Sequence, residues 1–167
     1  MRWFFFGSLM DPDILSIVLG RRLAEHERVP AILHGYTRLV VKDESYPALR
    51  PEPGGKVHGL LVEHLDEDEG RRICFFEGEE FRLEEHEVEL ADGERRRAVA
   101  FILTEDYATE HQHWDLGHWR AAYKSGFLEM TEEWMQYYGD PDNPDFATLD
   151  SHWIAARERL QTRRRTG

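Results

Sequence analysis

The first twenty residues limit the fold sharply, because a short apolar run passes through a Gly-Ser pair straight into a well-marked helix start. Arg2–Phe6, which contains three consecutive phenylalanines, predicts a buried strand. Asp11-Pro12 combines an N-cap residue with the proline favoured at the first helical position, and Gly20 predicts the helix end. The chain is therefore expected to open with a strand, a loop at Gly7-Ser8 and the N-terminus of a helix.

Extended segments dominate the chain as far as residue 104. A capping-box pattern, Asp66 with Glu69, predicts one short helix that ends at Gly78. In one of the strands the apolar positions move from odd to even numbers, which predicts a β-bulge near 84–87. The predicted strands are Val29–Val41 with a break at Gly35, Lys56–Glu63 after a turn at 51–55, and a hairpin of Phe81–Leu90 and Arg95–Leu103 across Asp92-Gly93.

The remaining residues have a helical pattern. Aromatic residues recur every three or four positions over 111–138, which predicts a helix there, and a last helix is expected over 146–164. A break at 141–144, which contains two prolines, separates them. The chain thus divides into a strand-rich body, residues 1–104, and a helical extension, residues 105–167, packed on the same domain.

Charge and hydropathy exclude several classes of protein. The formal net charge is −12, with 33 acidic and 21 basic residues, so nucleic acid and anionic membrane surfaces would be repelled. The longest stretch without a charged side chain, Val29–Thr37, is too short for a membrane span, and no secretory signal pattern opens the chain. A single cysteine permits no internal disulfide. We therefore expect a cytoplasmic protein.

The acidic charge is concentrated in one part of the chain. Residues 63–94 contain fourteen acidic side chains and three arginines. A solvated acidic face is the simplest interpretation. An acidic surface that binds a partner protein is an alternative, and it predicts that Glu77 is exposed like its neighbours.

Histidines and the cysteine offer weak signals for chemistry. His111, His113 and His118 lie close in sequence, but on the predicted helix the first two would be about 200° apart and could not share a metal. We therefore predict no metal site. Cys74, between two apolar residues, is expected to be a core thiol. A nucleophile of low pKa is the alternative, although no histidine lies at a persuasive spacing.

Two other segments are better candidates for a site. A glycine after a buried strand, Gly7, lets a ligand approach the backbone, and the N–H groups of the following helix N-terminus would attract a carboxylate or an oxyanion. Glu77 follows two phenylalanines in the last turn before the stop at Gly78. Burial, the helix dipole and the neighbouring acids at 79 and 80 would each raise its pKa, as a general base working near neutrality requires.

Four short motifs occur in the order that is usual in a known family. They are Phe6-Gly7-Ser8-Leu9, Gly35-Tyr36-x-Arg38, Tyr46-Pro47-Ala48-Leu49 and Glu77-Gly78-x-x-Phe81-x-Leu83. With them, residues 3–104 resemble the γ-glutamylcyclotransferase-like family, also called AIG2-like. The helical tail, with Trp119-Arg120 and Trp134-Met135, looks like an extension found in some bacterial members.

The resemblance implies a fold and a reaction. The fold is α+β, a small mixed β-barrel with flanking helices and a cavity at one side, here followed by the C-terminal helical extension. The reaction is attack of the substrate's own α-amine on its γ-carbonyl, which releases 5-oxoproline and a free amine without a cofactor. The implied partner is a small γ-glutamyl substrate. A homodimer is possible, but no residue pattern in the sequence supports one.

The same resemblance assigns the site residues. Glu77 would be the catalytic acid and base. Phe6, Gly7, Ser8 and Leu9 would form the substrate loop, and Tyr46, Pro47 and Phe81 would line the pocket. Phe6 and Phe81 stand where members usually have tyrosine, so two hydroxyls are missing. These changes favour the alternative function, a non-catalytic module of the same fold that binds a small ligand, whereas Glu77 in its motif favours the enzyme.

Overall fold

The computed structural model describes residues 1–104, 107–145, 148, 149, 154 and 158. Six strands and four α-helices have defined bounds in this part of the chain. The strands are β1 (Trp3–Phe5), β2 (Arg28–Val41), β3 (Pro47–Val62), β4 (Phe81–Leu90), β5 (Arg95–Leu103) and β6 (Thr109–His113). The helices are α1 (Pro12–Leu19), α2 (Glu67–Glu77), α3 (Leu116–Ala122) and α4 (Lys124–Met135).

Five strands close into a mixed barrel, which confirms the predicted fold class. β1 lies between β3 and β5, antiparallel to the first and parallel to the second. β5 continues antiparallel to β4 and β4 to β2, and the long β2–β3 pairing completes the circle. β6 is the extra strand, paired with the end of β2.

A glycine allows β1 to lie very close to β3. A Cβ atom added at Gly59 would lie 2.4 Å from the carbonyl oxygen of Phe5, closer than real contacts allow. In the β2–β3 pairing the register shifts beyond His34. The predicted turn at 51–55 is wrong, because β3 runs through it without a break, although residues 52–55 have no partner in β2.

The predicted β-bulge in β4 is wrong. Pairing with β5 runs without a shift from Phe81 opposite Leu103 to Glu89 opposite Arg95. The apolar positions change parity because the two ends of the strand bury opposite faces. Phe81 and Leu83 pack against the helices, and Val88 packs inside the barrel.

The helices follow the predicted boundaries in the first half of the chain. Asp11 caps α1, and Gly20 ends it with a left-handed backbone conformation. Asp66 and Glu69 form the predicted capping box at the start of α2. α1, α2, α3 and α4 pack over the outer face of β1 and β5 and enclose the larger of the hydrophobic cores.

The prediction of one helix over 111–138 is wrong at its start. Residues 109–113 form β6, and Asp115 caps α3 through a bond from the His118 N–H. The helical path also breaks at Tyr123, which leaves Tyr123 and Met130 exposed. Most of the helix predicted over 146–164 falls outside the described residues.

The acidic stretch 63–94 is partly neutralised across the β4–β5 hairpin. Arg95 pairs with Glu87 at 2.9 Å, and Arg97 pairs with Glu85 at 3.4 Å. Most of these side chains are on the surface, as the simplest interpretation predicts. No helix in the described part of the chain is both long and apolar enough to cross a membrane.

Candidate functional site

All eight site residues assigned from the sequence line one small cavity at the end of the barrel. Its volume is about 40 Å³, which is room for about one water molecule. Its wall consists of Phe4, Phe5, Phe6, Gly7, Ser8, Leu9, Tyr46, Pro47, Glu77, Phe81 and Phe101. The wall is mostly aromatic, and among the described residues that line it Glu77 has the only carboxyl group.

The substrate loop, Phe6–Leu9, leads into a single 3₁₀ turn, Ser8–Met10. Within this turn the Met10 N–H donates to the Gly7 carbonyl at 2.9 Å and the Asp11 N–H donates to the Ser8 carbonyl at 2.9 Å. The N–H groups of Ser8 and Leu9 are the leading donors of the turn and have no partner within it. This turn can therefore present backbone donors to an anion or an oxyanion in the cavity.

The prediction that the N-terminus of α1 serves the same space is wrong. The carboxylate of Asp11, a fully buried residue, accepts from the N–H groups of Asp13 and Ile14. It also pairs with Arg120 at 2.6 Å and Lys124 at 3.0 Å. Burial acts to raise the pKa of Asp11, but these bonds outweigh it and hold the pKa below its usual value. The helix end is occupied by this side chain.

Glu77 is the last residue of α2. The N–H of Gly78 donates to the Cys74 carbonyl at 3.1 Å. Gly78 has a φ angle of +76°, which turns the chain away from the helix axis. Only part of the Glu77 surface is exposed, and burial of its carboxyl raises the pKa to about 8. Among the described residues, none donates a hydrogen bond to this carboxyl, so nothing nearby offsets the cost of ionising it.

The carboxylates next to Glu77 differ from it in exposure. Glu79 and Glu80 are exposed, and burial is the cause that raises the pKa of Glu77, so a contribution of these two neighbours stays a prediction. A contribution of the helix dipole stays a prediction. The exposed Glu77 expected of an acidic interaction surface is wrong, because this carboxyl lines the cavity.

Tyr46, Pro47 and Phe81 form the wall on the side of the β2–β3 connection. The rings of Tyr46 and Phe81 meet edge to face with centroids 5.9 Å apart, and the Tyr46 hydroxyl donates to Glu80 at 3.4 Å. The Pro47 ring packs on the substrate loop, where a Cβ atom added at Gly7 would lie 3.3 Å from its Cδ. These contacts fix one side of the small cavity.

Three cavity residues have no counterpart in the sequence-based assignment. Phe4 and Phe5 belong to β1, the strand that precedes the substrate loop. Their position next to the Phe6-Gly7-Ser8-Leu9 motif could have predicted that they line the cavity. Phe101 lies on β5 and reaches the cavity because β1 and β5 are neighbours. No local pattern reports that pairing.

The other candidates lie outside this cavity. Cys74 is buried, and burial together with the charge of Glu77 raises the pKa of its thiol, as expected for a core thiol. His113 Nδ1 lies 3.1 Å from the Thr37 hydroxyl. A separate polar cleft of about 510 Å³ adjoins the 43–45 segment and includes His113 and His118. Within the described residues, no group of three potential metal ligands is placed to hold an ion.

Comparison with known proteins gives one family. A sequence model described as gamma-glutamyl cyclotransferase, AIG2-like, matches residues 3–121. Protein AIG2 C of Arabidopsis thaliana is 25% identical over 141 residues, which cover 83% of this chain and 84% of the relative. AIG2-like protein C of the same plant is 29% identical over 135 residues, which cover 80% and 77%.

Solved structures agree on the fold. The solution structure of an Arabidopsis thaliana protein has a TM-score of 0.59 at 24% identity and covers 87% of this chain and 89% of its own. A structure named gamma-glutamyl cyclotransferase has a TM-score of 0.52 at 10% identity, with 90% and 98% covered. At these identities the likeness shows the fold alone.

Proposed function

The chain belongs to the AIG2-like gamma-glutamyl cyclotransferase family, and from this premise we propose that it cleaves γ-glutamyl amides by cyclisation, with release of 5-oxoproline and an amine. One observation carries the proposal. The carboxyl of Glu77 lines the cavity, burial raises its pKa to about 8, and it shares the cavity with the 3₁₀ turn after Gly7. The leaving amine is not assigned.

The proposed reaction needs no nucleophile from the protein. The α-amine of the substrate attacks the γ-carbonyl carbon, a C–N bond forms to close the five-membered lactam, and the original amide C–N bond breaks. The α-ammonium loses two protons as it becomes the lactam N–H. The leaving nitrogen gains two, one as the amide bond breaks and one as the free amine becomes an ammonium ion, so the reaction is balanced without water. Holding the two groups in near-attack geometry can supply on the order of 7–11 kcal/mol, because both groups are in the same molecule.

Glu77 is the group proposed to move the proton. With a pKa of about 8, its carboxylate is matched to an α-amino group, which titrates near ~8 in peptides. It can accept a proton from the attacking ammonium and return it to the leaving nitrogen. A positioned acid and base of this kind contributes roughly 10²–10⁴-fold to the rate.

The backbone of the substrate loop is proposed to bind negative charge. The leading N–H groups at Ser8 and Leu9 are available to the α-carboxylate of the substrate or to the oxyanion that forms on the γ-carbonyl oxygen. The aromatic wall suits the methylene groups of the glutamyl chain, and it excludes water from the developing charge.

A γ-glutamyl group is larger than the cavity volume of about 40 Å³, so binding requires the cavity to widen. The Tyr46 hydroxyl is anchored by a long hydrogen bond, 3.4 Å to Glu80. An outward shift of Tyr46 would open the space between the substrate loop and Glu77.

The single cysteine and the acidic net charge support a cytoplasmic setting and a small-molecule substrate, without nucleic acid or membrane.

A panel of γ-glutamyl amides with different leaving amines tests the proposal. The protein is incubated with each, and 5-oxoproline and glutamate are both quantified. We expect 5-oxoproline from at least one amide and none from the same amide with its α-amine acetylated, because a blocked amine cannot attack. Release of glutamate instead would indicate a hydrolase. Binding of these amides without either product would support the non-catalytic module, and no binding would contradict both functions.

A further inference from the structure

Arg38 of β2 ties three separate segments of the chain together. Its Nη1 donates to the carbonyl oxygens of Phe6 at 2.7 Å and His58 at 2.9 Å, and its Nε donates to that of Trp114 at 3.2 Å. Its guanidinium also lies over the Trp114 ring, 5.0 Å from the centroid. The sequence motif that contains Arg38 has no part in the mechanism described above.

Arg38 contacts both ends of the substrate loop. The Phe6 carbonyl belongs to its first residue, and the Met10 sulfur, 3.4 Å from Nη1, belongs to the residue that follows its last. The Phe6–Gly7 peptide is planar and trans, so its C=O and N–H point in opposite directions. Because Arg38 holds the C=O, the Gly7 N–H is directed away from Arg38. Gly7 lines the cavity and Arg38 does not.

We infer that Arg38 is a positioning residue, which orients the Phe6–Gly7 peptide so that the Gly7 N–H joins the donors that face the substrate. This inference rests on the proposed cyclotransferase function. Arginine suits the task because its planar guanidinium donates several bonds at fixed angles and keeps its charge when partly buried. Lysine would bring a charge without this geometry, and a rotated peptide would place the Phe6 carbonyl oxygen toward the cavity.

Arg72 of α2 provides a matched control. Its Nε donates to the Val18 carbonyl at 2.6 Å and its Nη2 to the Ile17 carbonyl at 3.3 Å, and its guanidinium lies 4.9 Å from the Tyr138 ring centroid. It therefore has the same kind of structural contacts as Arg38, but at the end of α1 rather than at the substrate loop.

The kinetic test compares Arg38→Ala, Arg38→Lys and Arg72→Ala by melting temperature, kcat, KM and rescue with guanidinium ion. We expect both alanine variants to lose stability. Only Arg38→Ala should lose kcat, by roughly 10–100-fold, which is less than the ~10²–10³-fold cost of removing a donor, because the Gly7 N–H is misoriented and not deleted. Added guanidinium should restore much of that kcat, whereas methylammonium and the lysine variant should not. Equal kcat in the two alanine variants, or no rescue in a folded Arg38→Ala protein, would overturn the inference.

A second measurement does not depend on turnover. The backbone amide signal of Gly7 is followed by NMR in ¹⁵N-labelled protein while 5-oxoproline is added as the probe. We expect a shift of the Gly7 signal on titration in wild type and in Arg72→Ala, and its loss in Arg38→Ala. A Gly7 response that survives in Arg38→Ala contradicts the inference even if the protein has no cyclotransferase activity. An intact pattern of shifts with no 5-oxoproline formed in the amide panel would instead contradict the proposed function.

Discussion

Trp134 stacks face to face on Phe75, with ring centroids 4.8 Å apart and planes inclined by 9°. The indole Nε1 donates to the Phe75 carbonyl oxygen at 3.2 Å. Phe75 lies two residues before Glu77 in α2, and Trp134 belongs to α4 of the helical extension. The extension therefore covers the turn of α2 that carries the proposed catalytic carboxyl, and it helps to keep that turn away from water.

Removing this cover should affect both stability and proton transfer. We expect Trp134→Ala to lower the free energy of unfolding by about 2–4 kcal/mol, through lost aromatic packing. Water admitted to the end of α2 should also lower the pKa of Glu77 and move the acid limb of kcat/KM to lower pH. Trp134→Phe is the control, because it keeps a ring on Phe75. An unchanged acid limb in a folded Trp134→Ala protein would show that the extension does not shape this environment.

The pH dependence of kcat/KM should report the raised pKa of Glu77. The base form is the carboxylate, and with a pKa of about 8 roughly one tenth of it is ionised at pH 7. We expect kcat/KM to rise tenfold per pH unit below about pH 7, as Glu77 ionises, to peak near pH 8, and to fall above it, as the substrate loses the α-ammonium proton that the carboxylate is proposed to accept. Initial rates over pH 5.5–9.5 with a substrate from the amide panel measure this. An acid limb near the ordinary glutamate pKa would mean that the carboxyl is solvated or is not the base.

The same pKa predicts how stability depends on pH. The folded-state pKa of about 8 lies above the ordinary glutamate value of 4.5, so between these values the folded chain binds more protons at this site than the unfolded chain. Its contribution is therefore greatest below the unfolded pKa and is lost as the pH rises toward about 8. We expect Glu77→Gln to become more stable than wild type as the pH rises from 5 to 8, in urea unfolding series at each pH. A stability difference that stays constant across this range would be inconsistent with a buried carboxyl.

Signals confined to a few neighbouring residues predicted most of the local structure. Asp11-Pro12, Gly20 and the capping box at Asp66 mark helix ends because the side chains bond to backbone groups two or three residues away. The β4–β5 hairpin has the predicted bounds because its turn residues and its strands are adjacent in sequence. These interactions form within short segments, so their residue types report them.

Long-range pairing was beyond such signals. The residues of β6 fit a helical pattern in the sequence. They form a strand because they pair with β2, which supplies the hydrogen bonds that this short polar segment cannot form by itself. Phe101 joins the cavity only because β5 lies beside β1, and the Arg38 bonds to Phe6 and Trp114 join segments separated by 32 and 76 residues. The eight assigned site residues come from the motif resemblance, and the structure brings them to one cavity.

The rate of 5-oxoproline release by Glu77→Gln tests the central claim most directly. The amide side chain has nearly the same shape but cannot carry the proton, so we expect release to fall at least about 100-fold while the fold is kept. Glu79→Gln, a change of the same kind at an exposed neighbour, should retain the wild-type rate. A Glu77→Gln protein that releases 5-oxoproline at the wild-type rate would contradict the assignment of Glu77 as the acid and base.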